Sequence, residues 1–111
     1  MRVLVRSGES AVECEPAFSF FRKALGIMFC GKRFKPLFFD FGFPARHSIH
    51  SLFCPRFTAV FVSEHGVVDE VVEVKPFSFV TPRKPCRFLV EAPLNSFKPG
   101  VGGRISWAVV E

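Results

Sequence analysis

The chain has 111 residues, of which 49% are hydrophobic, and fifteen basic residues against ten acidic ones give it a formal net charge of +5. This length predicts a single domain over residues 1–111 with a buried core, and the composition excludes intrinsic disorder and low-complexity sequence. The positive charge favours anionic partners such as nucleic acid, phosphates or an acidic membrane surface. Its scatter along the chain favours an ordinary solvated surface over a surface dedicated to such a partner.

No apolar run approaches the roughly 18–20 residues that cross a bilayer, and charges at Arg2, Arg6 and Glu9 leave no apolar core for a secretory signal peptide. We therefore expect a soluble, cytoplasmic protein with reduced cysteines packed as small apolar side chains. Sixteen Phe and no Tyr are present. Because Phe carries no polar group, we expect most of its rings in the core and a minority at a pocket or an exposed patch.

The chain begins with a pattern typical of a hairpin. Apolar residues alternate over residues 2–6 and 11–15, on either side of the turn Ser7-Gly8-Glu9. The one helix that the periodicity predicts follows, because Phe18, Phe21 and Leu25 recur at helical spacing.

Two further strands are predicted before the middle of the chain. One begins at Leu37 and ends at Pro44, and a short one covers residues 49–54.

Residues 57–75 predict a β-hairpin about which the fold is built. Its first strand is apolar on both faces, which predicts a place inside a sheet that is covered on both sides. Gly66 lies at its turn. The second strand alternates, and its pattern places Val68, Val72 and Val74 on one face.

The remaining elements are a loop and two strands. Residues 76–85 contain three prolines and predict a long surface loop, residues 86–92 alternate as a half-buried strand, and residues 104–109 form a last strand after a turn over 93–103. Seven or eight short strands and one helix favour an all-β fold, an antiparallel β-sandwich or partly closed barrel. A βαβ architecture is disfavoured because one helix cannot supply its crossovers.

His47, His50 and Cys54 form the arrangement closest to a metal site. In an extended strand the two histidines point to opposite faces, although Cys30 or Cys86 could approach through the fold. We therefore predict no metal and no cofactor, and we expect His50 to be a hydrogen-bonded structural residue.

Asp40 and Glu70 are carboxylates on largely apolar strands, where a general acid–base pair could form. Their spacing does not show that they are close together. The sequence also has no nucleophile elbow and no phosphate-binding loop before a helix. A non-enzymatic protein is therefore preferred to an enzyme.

Basic residues are interleaved with phenylalanines in a pattern that could clamp and stack single-stranded nucleic acid. They are Phe29, Lys32, Arg33, Phe34, Lys35 and Phe38. The glycine and aromatic pattern of the common RNA-recognition sheet is absent, so this stays an alternative.

Several segments over residues 20–105 resemble, in order and spacing, the small uncharacterised family called domain of unknown function 192. They are R-K-A-L-G-I-M-F from Arg22, I-H-S-L-F from Ile49, F-V-S-E-H-G-V-V from Phe61, the step Lys75-Pro76, and P-C-R-F-L-V-E-A-P from Pro85. The resemblance implies an all-β, sandwich-like fold and names no activity. The chain departs from the family pattern at three positions: Thr58 and Gly103 stand where the family has Asp, and Cys54 where it has Met.

His50, Arg87 and Glu91 match the family pattern, and the resemblance makes them candidates for a shared pocket. With Phe53 they form the predicted ligand-binding set. The predicted function is a small intracellular, non-enzymatic binding module with a Phe-lined cleft for a small molecule or an anionic ligand. The alternatives are a single-stranded nucleic acid binder and a metal-binding or enzymatic β-sandwich.

Overall fold

A computed structural model describes residues 2–17, 31 and 33–110. Within them, nine strands form the regular structure. They are β1 (Val3–Ser7), β2 (Ser10–Pro16), β3 (Leu37–Ala45), β4 (Ile49–His50), β5 (Phe57–Val62), β6 (Val68–Val74), β7 (Phe79–Val80), β8 (Cys86–Pro93) and β9 (Ser106–Val109). The helix predicted over Phe18 to Leu25 lies outside the described residues.

Seven of the strands form one sheet in the order β6-β5-β8-β3-β2-β1-β9, and β4 and β7 pair separately. All pairs are antiparallel except β2 and β3, which pair in parallel through Glu15 with Leu37 and Pro16 with Phe38. The connection over residues 17–36 exceeds the dozen or so residues that a parallel crossover needs. The all-β prediction of a sandwich or partly closed barrel is confirmed, with this one parallel pair as an exception to its antiparallel character.

Apolar side chains cover both faces of β3, β5 and β8. On one face, strands β1 and β2 curl over and bring Val3, Val5 and Cys14 against side chains such as Val60 and Val90. The other face carries a second cluster. It includes Phe34, Leu37, Phe39, Cys54, Phe57, Ala59, Phe61, Val74, Cys86 and Leu89, with Ile49 and Val80 of the small sheet at its margin. Every residue of β5 is buried, which confirms the two-sided covering predicted from its apolar sequence.

The curled sheet is partly closed by hydrogen bonds between its two ends. Beside β6, the amide of Val68 donates to the carbonyl of Gly103 (2.9 Å), and the amide of Ile105 donates to the carbonyl of Gly66 (2.8 Å). Val67 and Arg104 form an antiparallel bridge between the same segments. The segment that leads into β9 therefore reaches the opposite edge of the sheet.

A β-bulge changes one predicted face in the central hairpin. Phe61 pairs with Glu70 and the next residue, Val62, pairs with Val68, so Asp69 is an extra residue on β6. Val68 packs in the first cluster, whereas Val72 and Val74 lie with the second. Placing the three valines on one face was therefore wrong for Val68, because the extra residue reverses the alternation.

Three predicted boundaries also differ from the structure. Strand β3 continues through Pro44 to Ala45, because its register with β8 is interrupted between Asp40 and Ala45 and the missing N–H of proline costs no ladder bond there. The strand predicted over residues 49–54 covers only Ile49–His50. The loop predicted over residues 76–85 contains β7, which pairs with β4.

Candidate functional site

Ser51 is a buried junction between two turns, and its side chain has no exposed surface. Its carbonyl accepts hydrogen bonds from the amides of Cys54 and Phe77, each at 3.1 Å. Its hydroxyl accepts a bond from the amide of Ser78 (2.7 Å) and donates one to the carbonyl of Lys75. A single side chain therefore holds the turn after β4 against the turn before β7.

Each of these turns carries a phenylalanine in the left-handed region of backbone conformation. Phe53 and Phe77 both have φ of 57°, a region that costs a residue with a Cβ about 1–2 kcal/mol. Their ring centroids are 5.6 Å apart with the planes at 75°, an edge-to-face contact. The side chains of Phe53, Phe77 and Phe79 are 56%, 65% and 74% exposed. We call these three residues the aromatic platform.

His50 lies in β4, directly opposite Phe79 of the platform. Its Nδ1 accepts a hydrogen bond from the amide of Leu52 at 3.2 Å, which agrees with the predicted structural role. His47 is held elsewhere, with Nε2 3.1 Å from the carbonyl of Phe43 and its ring stacked on Phe41. In the described part of the chain, no three His, Cys, Asp or Glu side chains are grouped to hold a metal ion.

A cleft of about 660 Å³ adjoins these turns. Its lining comprises Arg33, Pro55, Arg56, Pro76, Pro93 and Leu94. Pro55 follows Phe53 by two residues and Pro76 precedes Phe77, so the chain segments that carry the two rings also form the walls. No phenylalanine is among the described lining residues. Phe53, the ring named for the predicted cleft, is exposed on the surface beside it.

The described lining of the cleft carries two guanidinium groups and no carboxylate. Arg56 donates to Glu73 through Nη1 and Oε2 at 3.2 Å, at the surface. Arg33 is exposed and makes no ion pair with any residue within 2–17 or 33–110. Guanidinium groups against proline and leucine walls suit a ligand with an anionic group on an apolar body.

Arg87 forms a two-pronged ion pair with Asp40, with Nε–Oδ1 at 2.8 Å and Nη2–Oδ2 at 3.1 Å. Hydrogen bonding to Asp40, with its charge, raises the pKa of the Arg87 guanidinium. Glu91 lies four residues further along β8, which by strand rise is about 13 Å between Cα atoms. It is only 5% exposed, between Leu37 and Ala59 of the neighbouring strands.

The structure therefore brings the predicted site residues together only in part. His50 lies at the end of β4 and Phe53 in the turn that follows it. In contrast, Arg87 is ion-paired with Asp40, and Glu91 is buried in β8. None of the four is among the described residues of the cleft lining. A pocket that contains all four stays a prediction.

The carboxylates considered for catalysis have separate structural partners. Asp40 binds Arg87 and also accepts the amide of Gly42 at 2.8 Å. Glu70 accepts the amide of Arg83 at 2.8 Å through Oε1. Each carboxylate therefore stabilises the structure around it.

Two of the cysteines are buried thiols with weak acidity. Burial raises the pKa of Cys14 to about 12, and burial followed by the hydrogen bond to Asp69 raises the pKa of Cys86 to about 12. Because the thiolate is the reactive form, both thiols are poor nucleophiles at neutral pH.

The aromatic residues available to a partner are not those that the sequence indicated. In the alternative nucleic acid surface, Phe34 and Phe38 could have stacked on bases, but they are 7% and 3% exposed and both rings fill the core. Phe29 and Lys32 of that set lie outside the described residues. Phe77 and Phe79 were missed, although two phenylalanines in a proline-rich segment without strand alternation were a usable signal of exposure.

Comparison with known proteins shows two relatives of similar length from Pyrococcus. The chain is 26% identical over 109 residues to a UPF0127 protein of Pyrococcus furiosus, covering 94% of each chain. It is 30% identical over 100 residues to a UPF0127 protein of Pyrococcus horikoshii, covering 86% of this chain and 87% of that one. No family model matches the sequence.

Solved structures share the fold at lower identity. A candidate transcription regulator of Sinorhizobium meliloti superposes with a TM-score of 0.80 at 17% identity, over 96% of this chain and 92% of that one. A protein of unknown function from Novosphingobium aromaticivorans gives a TM-score of 0.77 at 18% identity, over 96% and 84%. At these identities the likeness shows the fold alone.

Proposed function

The chain belongs to the uncharacterised UPF0127 family, and on that premise we propose that it is a non-enzymatic module that binds a small anionic ligand. The binding site in this proposal is the cleft lined by Arg33 and Arg56 beside the Phe53 and Phe77 turns. The observation that carries the proposal is the combination of proline and leucine walls with two guanidinium groups in one concave site.

The size of the cleft supports a small molecule as the ligand. Its volume of about 660 Å³ falls within the roughly 300–1,000 Å³ of typical ligand pockets. Charge-assisted hydrogen bonds from arginine to a carboxylate or phosphate would fix the anionic group, and the apolar walls would cover the body of the ligand. Of the residues predicted from the sequence, Phe53 and His50 belong to the adjoining turn. Arg87 and Glu91 enter the proposal only as secondary candidates.

The hydrogen bonds and the ion pair in which Asp40 and Glu70 take part support a binding role for the protein over a catalytic one.

The two core clusters share strands β3, β5 and β8, which supports the further proposal that the chain folds as one domain. Within the described residues, the segments that resemble domain of unknown function 192 form β4 with the Ser51 turn, the β5–β6 hairpin and β8. We include membership of that family in the proposal.

A protein-observed NMR titration with carboxylated and phosphorylated small molecules, oligosaccharides and neutral analogues tests the cleft. We expect shifts at Arg33, Arg56 and Leu94 with anionic compounds only. Arg33→Gln should weaken binding about tenfold, which is the order of one charge-assisted hydrogen bond. Arg6→Gln removes the same charge from β1, outside the cleft, and should leave the affinity unchanged.

Two results would contradict the proposal. The first is a titration in which no compound shifts the cleft resonances. The second is an equal loss of affinity in Arg33→Gln and Arg6→Gln, because the arginine of the cleft would then act only through the net charge of the protein.

Single-stranded nucleic acid is a second candidate ligand, and the net charge of +5 favours it. The printed description of the Sinorhizobium meliloti protein as a candidate transcription regulator is compatible with it. This function requires retention on a polyanion column at physiological ionic strength and affinity that falls steeply with salt. If the protein passes through the column unretained under those conditions, the nucleic acid function is excluded.

A further inference from the structure

The aromatic platform consists of three largely exposed apolar rings on two neighbouring turns and a short strand. Phe53, Phe77 and Phe79 are each more than half exposed, in two turns and a short strand that Ser51 ties together. Left-handed phenylalanines persist only where their surroundings fix them, and the Ser51 hydrogen bonds do so here. The rings are therefore presented to solvent in defined positions by neighbouring parts of the fold.

The chain around the platform is basic. Residues 49–56 and 75–86 include four basic side chains, Arg56, Lys75, Arg83 and Lys84, and no acidic one. Lys75, Arg83 and Lys84 are exposed. The acidic residues that reach these segments are Glu73, paired with Arg56, Glu70, which binds the backbone amide of Arg83, and Asp69, which accepts the Cys86 thiol at 3.5 Å. Three exposed cations therefore remain on the segments that carry the apolar rings.

We propose that the aromatic platform docks on the surface of a bilayer that contains anionic lipids. Phe53, Phe77 and Phe79 enter the boundary between headgroups and acyl chains, and Lys75, Arg83 and Lys84 contact lipid phosphates and carboxylates. An exposed apolar patch with adjacent basic residues has the chemistry that anionic membrane surfaces attract. Docking at the surface requires no spanning segment, and no helix in the part of the chain that the structure describes is long and apolar enough to be one.

The geometry of the rings favours a lipid surface over nucleic acid. Successive bases stack on aromatic faces that are open and roughly parallel. Phe53 and Phe77 meet edge to face at 75°, so one ring covers a face of the other. The fluid acyl-chain region of a bilayer can accommodate aromatic rings in any relative orientation.

Sedimentation with vesicles tests the proposal. The probes are vesicles of phosphatidylcholine alone and vesicles with about one third phosphatidylserine, the anionic lipid of cytoplasmic leaflets. We expect the protein to sediment with the anionic vesicles and to remain in solution with the neutral ones. Added salt should weaken the binding.

The double variant Phe77→Asn/Phe79→Thr should reduce binding to the anionic vesicles at least about tenfold. Asn tolerates the left-handed conformation and Thr favours strands, so the local fold is kept. Val101→Ala is the matched control, because Val101 is 69% exposed in a different loop and should leave binding unchanged. Circular dichroism and thermal unfolding establish that each variant is folded.

Any of four results would overturn the proposal: no sedimentation with either vesicle, equal binding to both, undiminished binding by the double variant, or retention on single-stranded DNA without vesicle binding. Arg33→Gln should change vesicle binding no more than Arg6→Gln does. The platform and the cleft are thereby tested separately, and either proposal can fail without the other.

Discussion

Ser51 illustrates how much of a surface one buried hydroxyl can determine. Two polar backbone groups, the amide of Ser78 and the carbonyl of Lys75, find their partner in its side chain. A buried group that loses its hydrogen bond costs about 1–3 kcal/mol, so these bonds offset the strain of the left-handed residues Phe53 and Phe77. The hydrogen bonds of this buried serine therefore fix the positions of two aromatic rings at the surface.

Cys14 gives a prediction for the dependence of stability on pH. Burial on folding raises the pKa of this thiol from 9.0 to about 12, so the unfolded chain releases a proton at alkaline pH that the folded protein retains. The stability is therefore complete below about pH 9 and falls as the pH rises toward 12, by at most about 1.4 kcal/mol per pH unit for this group.

Urea unfolding of the protein and of Cys14→Ala between about pH 8 and pH 10.5 measures this contribution. The decline in the free energy of unfolding should be smaller in Cys14→Ala, because one of the groups that causes it is absent. Parallel declines in the two proteins would show that burial does not hold the Cys14 proton.

Strand β3 contains an irregularity that backbone conformation alone explains. Gly42 has φ of 85°, and its amide donates to Oδ1 of Asp40 at the point where the register with β8 is interrupted. A Cβ at Gly42 would meet nothing within 4 Å, so a side chain there faces conformational strain and no steric clash. The interruption in turn allows Pro44 to lie within the strand.

Substitution at Gly42 should therefore cost only the strain of the left-handed region. We expect Gly42→Ala to lower the free energy of unfolding by about 1–2 kcal/mol, and Gly42→Asn to lower it less, because Asn tolerates this region. Gly100 is an equally open position outside that region, and Gly100→Ala should change stability by no more than about 0.5 kcal/mol. Equal costs at the two glycines in denaturant unfolding would contradict this explanation of β3.

The central hairpin shows what alternation can and cannot predict for an element. Its strands and turn were predicted from the residues, and β5 is buried on both faces as expected. The bulge at Asp69 was not predicted, because a bulge depends on which residues of the partner strand are opposite, as with Val62 and Val68. The face of Val68 was therefore wrong while the strand itself was right.

The partial closure of the sheet is a property of the whole molecule. It depends on Gly66, whose φ is 80° and whose Cβ, if present, would lie 3.3 Å from the carbonyl oxygen of Ile105. The hydrogen bonds that close the sheet involve the amides of Val68, Gly102 and Ile105. They join segments far apart in the sheet order, so they should open as a unit.

Gly66→Ala should therefore accelerate hydrogen exchange at these three amides about tenfold or more relative to amides of β5 and β8, because both strain and crowding oppose the closure. Gly8→Ala is the control: φ at Gly8 is also positive, but no atom lies within 4 Å of its Cβ. That variant should affect the β1–β2 hairpin and spare the closure. Uniform acceleration in Gly66→Ala would show that the closure has no separate stability.

The candidate site was predictable only in fragments. His50 and Phe53 were selected because their segment matches a family pattern, and they lie beside the cleft and in the platform. Arg87 was selected in the same way, but its partner Asp40 is 47 residues away in the chain. The cleft itself combines residues from distant segments, such as Arg33, Pro76 and Leu94, and no local pattern relates them.

The sequence by itself determined most of the strands and the all-β class, because alternation and apolar content along a few residues specify which faces must be buried. The tertiary structure alone decided the parallel pairing of β2 with β3, the bulge at Asp69, the closure beside Gly66 and the contact between Phe53 and Phe77. These features depend on which distant segments come into contact. The packing of the complete chain determines these contacts. As a result Phe38 is buried, whereas Phe79, a residue of the same type, remains exposed to solvent.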